Sequence, residues 1–221
     1  MKPNYNFIAG NSLERLAALS DGIFAVAMTL LVLDLRVPVV EAVHRWQPLW
    51  ASGAIQSERA LWDALGHLAP HLLSYLMSFL SLGLFWVGQQ THLAHFSRSN
   101  RRLSWFHLGF LFGVSLVPFS TALFAAFITY RLALLVYWLN LLLLGVVLLS
   151  GWRYAERSGL IKEEAIGEIR SAIARRAVVV QALYAFGMLL CVINTYASIA
   201  FIVLVQLNAA LAPRIRLLDR F

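Results

Sequence analysis

Arg15, Ser20 and Asp21 stand at the head of an otherwise apolar run, and that placement gives them chemical interest. A charge inside a membrane-spanning helix costs roughly 2.5–3.5 kcal/mol on insertion scales, so such a group pairs with another or faces water. Arg15 and Asp21 are six residues apart and so project from different faces of a helix with 3.6 residues per turn. They do not pair within one helix, and each needs partners from elsewhere. For Arg15 the competing explanation is a snorkelling side chain at an interfacial helix start. For Asp21 that explanation is weaker, because residues 16–19 before it are already apolar or small. A carboxylate at that depth could also serve a secondary transporter or proton-coupled carrier, together with polar groups of the next apolar run.

Beyond them, Val26, Thr29, Leu30 and Leu33 follow the i, i+3, i+4, i+7 spacing that draws one stripe along a helix. Four copies of that stripe around an axis would stack hydrophobic rings with a hydroxyl ring between them, and hydrophobic constrictions can gate by dewetting. The plain alternative is a helix-packing stripe. Asp34 lies about 40° around the helix from Leu30 and could concentrate cations at an outer mouth or mark the interface.

Other polar residues carry less. His67/His71 and His92/His95 have the i+4 and i+3 spacings of paired metal ligands, but neither has a third ligand from cysteine, and interfacial roles account for them. Asn140, Asn194, Asn208, Gln89, Gln90, Gln181 and Gln206 lie in apolar runs, where such groups hydrogen-bond neighbouring helices. The chain has no TVGYG-like filter segment, P-loop, HExxH or G-x-S-x-G, the signatures of carbonyl filters, nucleotide sites, zincins and serine hydrolases. A non-enzyme without metal or cofactor is expected.

The elements that must position these residues follow from composition. Of 221 residues, 60% are hydrophobic and 13% charged, with a mean hydropathy of +0.72. Soluble domains carry about 45–50% apolar and about 25% charged residues. A spanning helix needs about 20 apolar residues, so the length accommodates about six. The reading is an all-α, polytopic membrane protein with a single domain over 1–221. Its six transmembrane helices lie at about 16–37, 61–92, 103–128, 132–152, 177–193 and 198–211, with an amphipathic linker at about 153–176. The start of the second run (Leu61, Trp62, Leu65, Leu68) is amphipathic and suits the interface, before Pro70 turns the chain inward.

The net charge of +7 does not indicate nucleic acid, because the basic residues sit in short loops between apolar runs. Arg98, Arg101 and Arg102, the 153–176 segment, and Arg214, Arg216 and Arg220 fall on one side of a six-span scheme. The positive-inside rule puts them, and both termini, in the cytoplasm. The loop after the first run is nearly charge-balanced and faces out. No removable signal peptide is expected from residues 1–10, and the lone Cys191 forms no intrachain disulfide.

The stretch from Arg15 to Leu35, with Ser20-Asp21-Gly22 and a Thr-containing apolar run ending Val32-Leu33-Asp34-Leu35, resembles the first helix of the prokaryotic transmembrane protein 175 family, the endosomal and lysosomal potassium channels. Phe85-Trp86, the Ser115–Leu123 segment around Pro118, and Tyr137-Trp138-Leu139-Asn140-Leu141 resemble motifs of its next three helices. The resemblance implies a homotetramer in the bacterial inner membrane, conducting potassium as a leak along an axis lined by the first helix. The matching positions are Val26, Leu30 and Leu33 as hydrophobic rings and Thr29 as a polar ring. It also implies an interhelical polar network at Arg15, Ser20 and Asp21, with His107 where the family has an asparagine. Leu19 replaces the motif phenylalanine and Gln89-Gln90 a histidine pair, so that network is rewired. Val26 is smaller than the usual residue, which widens the innermost ring.

Overall fold

The computed structural model describes residues 12–38, 54–162 and 168–211, with side chains for all but 54–57 and 168–174 of these. The loop of 39–53, Ile166, the side chains of Ile169 and Ile173, and the C-terminal arginines lie outside what is described. Among the described residues seven helices follow in order: α1 Leu13–Val32, α2 Ala54–Gly66, α3 Ala69–His95, α4 Arg101–Ala126, α5 Arg131–Arg157, α6 Glu168–Leu190 and α7 Thr195–Leu211. Among the described residues α1, α3, α4 and α5 are long and apolar enough to cross a membrane. The apolar α7 has 17 residues, about 25 Å at 1.5 Å per residue.

Local chemistry sets the helix ends. Ser12 caps α1, its Oγ accepting from Arg15 N at 3.2 Å, and Asn100 Oδ1 caps α4 by accepting from Leu103 N at 2.9 Å; each satisfies a backbone donor that a helix start leaves free. The apolar run expected over 61–92 is split at His67-Leu68, where Pro70 in the first turn opens α3; a proline has no N–H to lose there.

The stretch 153–176 differs from the linker helix expected of it. Residues 153–157 complete α5, and the helix stops at Ser158-Gly159. Gly159 adopts φ +63°, Leu160 N donates to Ala155 O at 2.9 Å, and Gly159 N donates to Glu156 O at 3.2 Å. This is a Schellman stop, in which glycine takes the left-handed position. From Glu168 the chain belongs to α6. Charge periodicity alone did not reveal that break.

The core sits where α4 meets its neighbours. α4 packs against α5, α1 and α3; α3 also meets α1, α7 and α5; α6 packs on α5 and α7. Phe24, Leu31, Met77, Phe110, Val114 and Tyr137 are among the side chains buried there. A smaller cluster of Leu93, Phe96, Leu103, Trp152 and Leu160 closes the end where α3 and α5 finish. There the two connections are joined: Lys162 N donates to His95 O at 2.9 Å and Ser97 N to Leu160 O at 2.8 Å. α2 makes no extended contact with the bundle among the described residues, and Leu61, Trp62 and Leu65 on it are exposed.

Pro118 lies inside α4. Asn140 of α5 answers it: in the amide orientation that satisfies both ends, it donates to Gly113 O at 3.1 Å and accepts from Val117 N at 3.2 Å and Ser120 Oγ at 3.0 Å. Gly113 C=O and Val117 N–H are the pair that a regular helix joins directly. The proline distorts that turn, and the neighbouring amide supplies both partners.

Candidate functional site

α1 has two unlike faces. Ser20, Phe24, Ala27 and Leu31 are buried, their spacings of four, three and four marking the face that packs on α3 and α4. Val26 (57% exposed), Leu30 (44%) and Leu33 (68%) lie uncovered, and so does Thr29. Thr29 Oγ1 donates its proton to Val26 O at 2.8 Å, so its oxygen lone pairs remain for another partner. Beside this face runs an open apolar groove lined by Gly22, Val26 and Leu30 of α1 and Leu108, Leu111 and Ser115 of α4.

The polar residues at the head of α1 divide between two sets of partners. Ser20 is fully buried; its Oγ lies 2.8 Å from His107 Nε2 and receives Gln89 Nε2 at 2.8 Å. Gln89 Nε2 is also 2.7 Å from His107 Nε2. Asp21 turns elsewhere, its Oδ1 accepting from Trp86 Nε1 at 2.8 Å and Gln90 Nε2 at 2.7 Å. Successive helix residues diverge by about 100°. Ser20 and Asp21 therefore leave α1 in different directions, and the adjacent Gln89 and Gln90 leave α3 in matching ones. Trp86 and Gln90, one turn apart, share the face that reaches Asp21.

Arg15 is exposed, and among the described residues its side chain joins neither set. Asp34, at the far end of α1, pairs with His71 of α3 at 3.1 Å, both side chains 31% exposed. His92 and His95 rest against Trp152, ring centroids 4.9 and 6.5 Å away. Among the described residues no three His, Cys, Asp or Glu side chains converge as a metal site. Reading the sequence did not place Trp86 in the network, although Phe85-Trp86 stood out as a motif. Gln89 and Gln90 entered only as a rewiring of the network, without their partners, and their amides supply the hydrogen-bonding capacity found there.

Long apolar helices held together by buried polar side chains define an integral membrane protein. The family model described as "Endosomal/lysosomal potassium channel TMEM175" matches residues 15–118. A protein of Streptomyces collinus named a potassium channel is 31% identical over 153 residues, 67% of each chain. The bovine protein named endosomal/lysosomal proton channel TMEM175 is 32% identical over 119 residues, 51% of this chain and 23% of its own. The crystal structure of a lysosomal potassium-selective channel TMEM175 homolog from Chamaesiphon minutus superposes with a TM-score of 0.72 at 26% identity, covering 90% of this chain and 97% of the other. The chain belongs to the TMEM175 family, a family of channels.

Proposed function

We propose that the chain is the subunit of a potassium-conducting channel in which α1 of each of four copies lines the ion path. The observation that carries this is the division of α1 into a buried face and an uncovered stripe of Val26, Thr29, Leu30 and Leu33. The names of the bacterial relatives support the choice of ion.

Valine and leucine rings offer no ligands, so they form a narrow, dewettable constriction. Between them each Thr29, its proton committed to Val26 O, turns oxygen lone pairs to the axis and replaces part of an ion's water shell. Such a ring holds fewer ligands than a carbonyl cage, so preference for potassium over sodium is modest. Asp34, fixed by His71, places negative charge at the outer mouth and raises the local cation concentration. The bonds of Ser20 to His107 and Gln89, and of Asp21 to Trp86 and Gln90, set the rotation of α1. Arg15 lies at its inner end.

In this reading α6 and α7 complete six spans of a single domain, with both termini cytoplasmic in a bacterial inner membrane. The carrier alternative needs Asp21 free to exchange protons, whereas two donors on one of its oxygens favour a positioning role.

Purified protein in liposomes tests the reading. Potassium flux exceeding sodium flux is expected, and no flux of either ion through well-inserted tetramers would refute it. Leu30→Asn and Leu33→Asn should change conductance or selectivity; unchanged currents from both would remove α1 from the path.

A further inference from the structure

A cavity of about 270 Å³ opens between α3, α5, α6 and α7, away from α1. Val87, Gly88, Leu148 and Val180 form much of its wall. Its ends differ. Ser81 and Tyr184 close one, and Thr91, His92 and Arg176 line the other, near the basic end of the bundle.

A cavity with apolar walls can stay dry and take up apolar matter, as cavities of about 150 Å³ do. Within a bilayer the apolar matter at hand is an acyl chain. At the mouth Arg176 and its neighbour Arg175 are exposed, and among the described residues no carboxylate pairs with either. A guanidinium is the group best shaped for a phosphate, and basic pockets between membrane helices bind anionic headgroups. In the wall, Gln181 Oε1 is buried without a donor among the described residues.

We infer that the cavity is a lipid site, taking one acyl chain of an anionic phospholipid from the leaflet at the Arg175–Arg176 end, with its phosphate on Arg176. It stands independently of what α1 conducts.

The test uses the full-length protein in mild detergent, equilibrated with phosphatidylglycerol or phosphatidylcholine and weighed by native mass spectrometry. Wild type should retain phosphatidylglycerol in preference to phosphatidylcholine. Arg176→Gln should lower that retention about fivefold. Gly88→Leu should abolish it, because a Cβ there meets only Leu148 Cδ2 at 3.9 Å and the longer chain must grow into the cavity. If Gly88→Leu does not assemble, Ala209→Leu on the opposite wall serves as the blocking variant. Equal retention of the two lipids, or unchanged retention in both the charge and the blocking variant, would overturn the site. Displacement of phosphatidylglycerol by inorganic phosphate alone would also overturn it, since it would reveal an anion site without a chain.

Discussion

At the scale of single residues, the head of α1 shows how neighbouring polar groups divide their work. Ser20 is committed to the interior, Asp21 to the edge of α3. Asp21→Ala removes the acceptor shared by two donors and should cost about 1–2 kcal/mol, already discounted for exposure. Asp21→Asn keeps one acceptor oxygen and should fall between it and wild type. Thermal unfolding in detergent orders the three; an alanine variant that melts like wild type would mean that these bonds contribute nothing. Helix geometry alone required that Asp21 find partners outside α1. It did not identify Trp86 and Gln90, because one sequence does not say which face of α3 turns toward α1. Likewise, the stripe of Val26, Thr29, Leu30 and Leu33 was visible as spacing, but spacing does not separate a packed face from an uncovered one.

At the scale of elements, the Pro118 turn and Asn140 behave as one device. Asn140→Leu leaves the Gly113 carbonyl and Val117 amide without the side chain that bridges them and should cost about 1–3 kcal/mol. Pro118→Ala lets α4 close its own ladder, so the double variant should lose less than the sum of the two single losses. Strictly additive losses in a double-mutant cycle would separate the two residues. Gly159→Ala forces a side chain into the left-handed stop of α5 and should cost about 1 kcal/mol, read as a lower unfolding midpoint. Hydropathy reveals elements of this kind when their ends are marked by strong chemistry: Pro70 marks the start of α3. It blurs when charge runs through a stop, as it does from Arg153 to Arg176, where Gly159 was the available signal.

At the scale of the whole molecule, composition made an all-helical membrane protein legible, since 60% hydrophobic and 13% charged residues do not suit a water-soluble domain. Assembly was not legible from composition, because subunit number resides in surfaces that one chain presents and does not fill. If four copies place α1 at a common axis, Leu33→Cys, at a position 68% exposed, should form disulfide-linked dimers under mild oxidant in membranes. Trp105→Cys, also exposed but on α4, should not. Crosslinking at Trp105 alone would put a different helix at the centre. Cys191 is buried and does not compete for the oxidant.

The join between the α3–α4 and α5–α6 connections has a consequence in time. Lys162 and Leu160 reach His95 and Ser97 across the whole α4–α5 hairpin. Closing a loop of that size in an unstructured chain costs about 3–4 kcal/mol of entropy. Once α4 and α5 have packed, the same ends are already neighbours and the cost nearly vanishes. The closure entropy therefore favours the hairpin forming before the clasp, and α6 starts only a few residues beyond it.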